Sequence, residues 1–330
     1  MSLPRVFVSR RLFDETLAML AQHAELDVFE REGSPTRDEL IARSKGCAAL
    51  IAQGTDPIDG DLLDALPDLK IAANVAVGYN NIDVAAAAAR KVVVTNTPDV
   101  LNEACAALTW ALILGVTRRL GEGERILRAG QWEGFALKFL LGTDLVGKQL
   151  GIVGMGRIGQ SVAAKALAFG MRVAFLRSPR RPDEQLAGPD GTPYTGMDLE
   201  TLLQTSDVVT LHVPLTDETR HMMNSRTLAL MKSTAYLVNM ARGPVVEEAA
   251  LVEALDKRAI AGAALDVYEL EPMVHPGLLQ FENALLAPHL GSATLETRTA
   301  MCNLAARNVI EVIEGRPPLT PVRGSYLPDA

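Results

Sequence analysis

At 330 residues, with 48% hydrophobic and 22% charged residues, the chain has the ordinary balance of a globular protein and enough apolar material for one very large domain or two ordinary ones. Aromatic residues are only 5%, so the cores must be built from Ala, Val, Leu and Ile. A formal net charge of -8 argues against nucleic acid as the main partner, since phosphate backbones need a basic face, while a few local arginines can still hold a small anion.

Short β-branched runs alternate with Ala/Leu-rich helical stretches along the chain, the pattern of βαβ units and a parallel sheet. Strands are predicted over 5–9, 26–29, 48–52, 70–75 and 92–96, with helical patterns between them, for example 12–23 and 84–90. A helix is expected over about 100–118, opened by Thr97-Pro98-Asp99. The stretch 121–147 contains Gly and Trp but no clear periodicity, and is long for a loop inside a compact domain. It reads either as a dimer arm carrying Trp132 and Phe135 or as a surface loop with one packed Trp. A second βα series starts at Gln149, with strands over 150–153, 172–176, 208–213, 235–239, 263–267 and 284–288, and a final helix over about 293–314. The expected plan is one sheet domain from residues 1–98 plus 291–330, with a second domain, 99–290, inserted.

The three cysteines, Cys47, Cys105 and Cys302, are odd in number, far apart and form no C-x-x-C pair. That predicts neither a disulfide frame nor a zinc site, and a reducing cytoplasm. The N-terminus has no apolar leader, and the longest apolar run, 104–116, is too short to cross a bilayer. No membrane association and no metal are therefore expected.

The strongest local motif is Gly151-Ile152-Val153-Gly154-Met155-Gly156-Arg157-Ile158-Gly159, a strand, then G-x-G-x-x-G, then a helix over 157–169. Gly154 permits the tight turn, Gly156 lets backbone approach a pyrophosphate, and Gly159 lets helix pack on strand, while the helix N-terminus offers free N–H groups to phosphate. The flanking strand and helix are the context that makes this a dinucleotide site. Where NAD enzymes end the next strand in Asp or Glu for the adenosine ribose, this chain has Leu176-Arg177-Ser178-Pro179-Arg180-Arg181. A carboxylate would repel a 2′-phosphate, whereas Arg pairs with it bidentately and Ser donates to it. NADP(H) is therefore preferred, through Arg177, Ser178 and Arg180, with NAD(H) possible if Asp183 reaches the ribose.

Three segments near later strand ends carry reactive side chains: Arg242 in Asn239-Met240-Ala241-Arg242-Gly243, Glu271 in Asp266-Val267-Tyr268-Glu269-Leu270-Glu271-Pro272, and His289 in Pro288-His289-Leu290-Gly291-Ser292. Ligands of open α/β sheets bind beyond the C-terminal strand ends. An Arg to fix an anion, a His to deliver a proton and a Glu to orient the His suit reduction of a 2-oxo acid. Glu269, beside Glu271, is a rival for the carboxylate role. His212 reads as structural near the cofactor, His221 as part of a helical or turn segment, and His23 and His275 as surface residues.

With Val75-Ala76-Val77-Gly78-Tyr79-Asn80-Asn81-Ile82-Asp83, Thr95-Asn96-Thr97-Pro98, the glycine motif, His212-Val213-Pro214-Leu215-Thr216 and the Arg/Glu/His segments in this order, the chain resembles the D-isomer-specific 2-hydroxyacid dehydrogenase family, and is most similar to its glyoxylate/hydroxypyruvate reductase branch. The resemblance implies an α/β protein of two Rossmann-like domains, parallel sheets flanked by helices, an active site in the interdomain cleft and a homodimer. It makes 1–98 plus 291–330 the substrate-binding domain and 99–290 the dinucleotide-binding domain. It assigns Arg242 to the substrate clamp, Glu271 to the dyad carboxylate, His289 to acid/base work, and the Val77 and Gly78 backbone to the substrate carboxylate. It puts Gly154, Met155, Gly156, Arg157, Ile158 and Gly159 on the pyrophosphate, Val213, Pro214 and Thr219 beside the adenosine, and Met240, Ala241, Asp266, His289 and Gly291 around the nicotinamide. Gln53-Gly54 departs from the bulkier apolar residue of many relatives. A 2-ketogluconate reductase, a phosphoglycerate dehydrogenase-like enzyme and an NAD(H)-sensing binding protein are the alternatives.

Overall fold

A computed structural model describes residues 3–179 and 181–327. The chain divides into two compact units, Met1–Leu101 with Thr294–Ala330, and Asn102–Ala293.

In the first unit, strands β1 (Arg5–Val8), β2 (Glu25–Val28), β3 (Ala49–Ala52), β4 (Ile71–Asn74) and β5 (Val93–Thr95) form one parallel sheet in the order β2-β1-β3-β4-β5. Helices α1 (Asp14–Ala21), α2 (Arg37–Ser44), α3 (Gly60–Asp64) and α4 (Val84–Ala89) connect them. β3 and β4 are buried at every residue, which is why they read as unbroken apolar runs rather than an alternation. Asp59 and Asp83 start α3 and α4 by accepting the Leu62 and Ala86 amides.

The second unit opens with α5 (Asn102–Thr117) and α6 (Leu120–Arg128). Its seven strands are β6 (Gln149–Val153), β7 (Arg172–Leu176), β8 (Thr195–Met197), β9 (Val208–Leu211), β10 (Tyr236–Asn239), β11 (Gly262–Leu265) and β12 (Ala284–Leu286). They pair in parallel in the order β12-β11-β10-β9-β6-β7-β8. α7 (Arg157–Ala166), α8 (Leu199–Thr205), α9 (Ser225–Leu228) and α10 (Glu248–Asp256) lie between them. Successive residues of β10 serve two cores: Leu237 packs with Leu203, Leu251 and Leu265, and Val238 with Trp110, Ile113 and Val162. Both faces of the sheet are therefore covered, as a parallel sheet requires. α11 (Leu295–Ile313) then returns to the first unit, packing against α1, β3 and β4. The tail beyond it lies along β5, where Val94 accepts from the Val322 amide at 3.0 Å and donates to Ser325 Oγ, so that edge strand is not left open.

Two predicted features differ. The stretch 121–147 is not irregular throughout, because its first part is helix α6. β8, a three-residue edge strand, was not expected. The final helix spans 295–313 and the helix after the glycine turn ends in a single 3₁₀ turn at 167–169.

Candidate active site

The glycine turn joins β6 to α7, and its three glycines have separate reasons. Gly154 has a φ of +104°, and a Cβ there would sit 2.6 Å from the His212 carbonyl carbon and 2.7 Å from the Val213 nitrogen. A Cβ on Gly159 would lie 2.2 Å from the Gly154 oxygen, so helix and strand touch backbone to backbone. Gly156 is the opposite case: a Cβ there would meet nothing within 4 Å. Packing does not require that glycine, whereas a ligand approaching the backbone at the N-terminus of α7 does. The dinucleotide thus fits the residues present. Of the turn's other members, Arg157 is exposed and Ile158 half-buried, while the Met155 side chain is buried in the core, which leaves only its backbone to face a ligand.

At the C-terminal end of β7, Arg177 is exposed and tied to the edge strand beside it. Its amide donates to Met197 O and its Nη2 to Gly196 O, both at 2.8 Å. Gly196 carries no side chain where a Cβ would lie 3.3 Å from Arg177 Nε, so the guanidinium can lie across β8. Ser178 is half-buried next to it and Arg181 pairs with Glu184. Arg180 lies outside the described residues. Across the sheet, Thr219 Oγ donates to Pro214 O at 2.7 Å and accepts the Thr216 amide at 2.8 Å, closing the turn that follows Val213.

The reactive side chains gather at the ends of β10, β11 and β12. His289 Nδ1 lies 2.8 Å from Glu271 Oε2, and Tyr268 N donates to Glu271 Oε1 at 3.0 Å. Burial alone would push the Glu271 carboxyl up, but the hydrogen bond and charge of His289, the Tyr268 amide and the Arg242 charge together hold it below the usual range. Glu271 therefore stays anionic against His289. Burial draws the Arg242 guanidinium down from its ordinary value while the Glu271 charge works the other way, and an arginine remains a cation under both. The turn bearing Met240, Ala241 and Arg242 is closed by buried Asn239, whose amide nitrogen donates to Arg242 O at 3.1 Å and whose oxygen accepts the Ala241 amide at 3.0 Å.

His289 has a left-handed φ of +52°, a conformation that costs a non-glycine residue about 1 kcal/mol or more. Asp266 holds it there. Its backbone oxygen accepts the His289 amide at 2.9 Å, and its carboxylate oxygens accept the Leu290 and Gly291 amides at 2.6 and 2.8 Å. The resemblance put Asp266 beside the nicotinamide, and its two carboxylate oxygens also shape the turn that carries His289. Cys105, which sequence reasoning passed over, belongs to the same cluster: a Cβ on Gly291 would be 3.3 Å from its Sγ. Burial first, then the Asp266 charge, push its thiol up to about 11, so it stays a neutral packing group and not a nucleophile.

Glu269, two residues from Glu271, faces a different partner, with its Oε1 2.6 Å from His221 Nε2. Of the two glutamates, Glu271 is therefore the one that meets His289. Half-buried His212 bonds Thr210 Oγ through Nε2 at 2.9 Å and leaves its sealed Nδ1 without a partner among the described residues, and burial lowers its pKa to about 3.

In the first unit, the Val77-Gly78 loop is held by its carbonyls. Asn96 Nδ2 donates to Val77 O and Asn74 Nδ2 to Gly78 O, both at 2.8 Å. Asn81 Nδ2 braces the same corner by donating to Gln53 O and Asp56 O, at 3.1 and 2.9 Å. The Val77 and Gly78 amides take no acceptor among the described residues, so the loop presents donors suited to a carboxylate. No sequence pattern flagged Asn74 or Asn96 as holding this loop; their signal was only their place at two strand ends.

Residues 110–291 match the model of the D-isomer specific 2-hydroxyacid dehydrogenase NAD-binding domain. The chain is 46% identical over 318 residues to a glyoxylate reductase of Korarchaeum cryptofilum, covering 96% of this chain and 94% of that one. It is 45% identical over 321 residues to a glyoxylate reductase of Thermococcus kodakarensis, at 96% and 95% coverage. Among solved structures, an NADPH-dependent glyoxylate/hydroxypyruvate reductase from Sinorhizobium meliloti in complex with NADP and malonate is similar with a TM-score of 0.85 and 36% identity, covering 100% of this chain and 99% of that one.

Proposed function

The chain belongs to the D-isomer-specific 2-hydroxyacid dehydrogenase family, and from that premise we propose that it reduces a small 2-oxo acid of the glyoxylate or hydroxypyruvate type to the D-2-hydroxy acid, with NADPH preferred over NADH. The observation that carries this reading is the 2.8 Å His289–Glu271 contact within the field of Arg242. The other ring nitrogen of His289 has no partner among the described residues and the side chain is about half exposed, at 49%, so it can reach a substrate.

The nicotinamide, when bound, supplies the hydride. The free amides of Val77 and Gly78 take the substrate carboxylate. Arg242 stabilises the negative charge that builds on the carbonyl oxygen, and His289 passes a proton to that oxygen from Nε2. Glu271, accepting at Nδ1, fixes the ring and offsets its charge. The preference for NADPH is supported by the exposed Arg177 at the end of β7, with Ser178 beside it. A panel of glyoxylate, hydroxypyruvate and 2-ketogluconate, followed by NADPH and NADH absorbance, tests both parts. His289→Gln is expected to lower kcat roughly 10²- to 10⁴-fold, the range for losing a general acid. Near-normal turnover in that variant would remove the assigned role, and a strong NADH preference would remove the cofactor assignment.

The homodimer is supported by the apolar surface of residues 120–146. Leu127, Trp132 and Leu141 are exposed there, and Phe135 and Leu137 are 87% and 84% exposed, a density that a second copy of the chain would cover. Light scattering checks it, and a monomer at assay concentration would end it. A reducing, cytoplasmic setting is supported by the three cysteines, all free.

A further inference from the structure

Arg242 and Glu271 come from different strand ends, yet their action on one carbonyl requires a fixed spacing. The contact that sets this spacing lies behind them. Gly243 follows Arg242, and a Cβ on it would lie 1.8 Å from both the carbonyl carbon and oxygen of Tyr268 and 2.4 Å from the Glu269 nitrogen. The segment bearing Arg242 and the segment bearing Glu271 are therefore pressed backbone to backbone, where no other residue fits.

A cluster of side chains fastens the same seam. Glu269 Oε2 accepts the Glu248 amide at 3.0 Å, and Glu248 Oε1 accepts the Glu269 amide at 2.8 Å, a reciprocal pair between the first turn of α10 and the loop after β11. Glu248 is only 4% exposed, so its carboxylate is held within this seam. His221 joins the two segments directly: its amide donates to Pro244 O at 2.7 Å, while its ring meets Glu269 Oε1 at 2.6 Å. The Met223 amide adds a further tie by donating to Val245 O at 3.0 Å.

We propose that Glu269, with Glu248, His221 and the bare backbone of Gly243, is a positioning device that locks the Arg242 segment to the Glu271 segment. None of these residues need touch substrate. The device acts through the dyad and the arginine, and so rests on the functional reading above. Misplacing a reacting group by about 1 Å costs about 100-fold in rate, which gives such a lock its value.

The test compares Glu269→Ala, Glu269→Gln and Gly243→Ala in the full chain. Each is measured as kcat and KM for glyoxylate per folded molecule, with folded molecules counted by NADPH binding. In Glu269→Gln the amide oxygen can still accept the Glu248 amide and the NH₂ can donate to His221. The expected result is a kcat loss of about 10- to 100-fold in Glu269→Ala, recovery to within about threefold in Glu269→Gln, and NADPH affinity unchanged in both. A general structural role would lower the folded fraction but leave kcat per folded molecule intact, and that outcome overturns the proposal. So does a parallel fall of NADPH affinity and kcat, or a Gln variant as damaged as Ala. Gly243→Ala is expected to lose activity more completely, and if it does not fold the Glu269 pair still decides. A wild-type enzyme that turns over none of the 2-oxo acids would instead sink the functional reading, and the positioning role with it.

Discussion

His212 makes the acid stability of the second unit predictable. Its Nδ1 is sealed from solvent without a partner among the described residues, and burial takes its pKa from 6.5 to about 3. The folded state then refuses a proton that the unfolded chain accepts below 6.5. Stability must therefore fall with pH, beginning near the unfolded value and continuing until the folded value is reached. At pH 5 the unfolded ring is about 1.5 units below its own pKa and the folded ring is still neutral. At about 1.4 kcal/mol per unit, the folded state loses about 2 kcal/mol relative to neutral pH. With a urea slope of about 3 kcal/mol per molar, the midpoint should move by roughly 0.7 M. His212→Asn keeps a partner for Thr210 and removes the titration. The assay is urea unfolding at pH 7 and pH 5 for both proteins, read from tryptophan fluorescence. Trp110, stacked on Phe169 at a 4.4 Å centroid distance and 4% exposed, reports on this unit. Subtracting variant from wild type cancels every other titrating group. Equal losses in the two proteins between these pH values would refute the reasoning.

Arg177→Asp should lower kcat/KM with NADPH about 10- to 100-fold, the value of a charge-assisted hydrogen bond, and should spare or raise NADH turnover; unchanged selectivity in paired kinetics would move the 2′-phosphate site elsewhere. Gly159→Ala, placing a Cβ 2.2 Å from the Gly154 oxygen, is expected to cost about 1–3 kcal/mol in urea unfolding and most NADPH affinity, since helix and strand must part. Asn74→Ala leaves the Gly78 carbonyl without its side-chain donor, and should raise KM for glyoxylate about tenfold with a smaller change in kcat; an unaffected KM would detach this loop from the substrate carboxylate.

How far the sequence could be read depended on whether a residue's partner lay in its own local pattern. β3, β4 and β9 through β11 are buried at every position, so their apolar runs marked them within a residue or two. The glycine turn was legible for the same local reason: strand, turn and helix are contiguous. α6 was hidden because none of its residues is buried and it carries Gly121 and Gly123, which cost a helix about 1 kcal/mol each. Those glycines answer to neighbours far along the chain: a Cβ on Gly121 would lie 3.0 Å from Leu285 Cδ1, and one on Gly123 3.4 Å from Leu140 Cδ1. β8 escaped for a similar reason, since Gly196 at its centre has poor strand propensity and is explained by Arg177 lying over it.

The same distinction separates the chemistry proposed for Arg242, Glu271 and His289 from what fixes them. Arg, Glu and His could be picked out by chemistry, because reduction of a 2-oxo acid needs an anion clamp and an oriented proton donor. Their supports could not, because nearly every one is a backbone amide or carbonyl met by a distant side chain: Asp266 on the Leu290 and Gly291 amides, Glu248 on the Glu269 amide, Asn74 on the Gly78 carbonyl. Backbone groups carry no residue identity, so a sequence shows one partner of each contact and conceals the other. Glu269 and Glu271 make the point within three residues. As letters they are interchangeable, yet one turns to His221 and the seam behind the site while the other turns to His289. What divides them is the direction the chain takes after β11, and that direction is set where Gly243 lets Tyr268 come within backbone contact. A substitution at Gly243 should therefore be felt first as lost register between Arg242 and Glu271, although glycine has no chemistry of its own to offer.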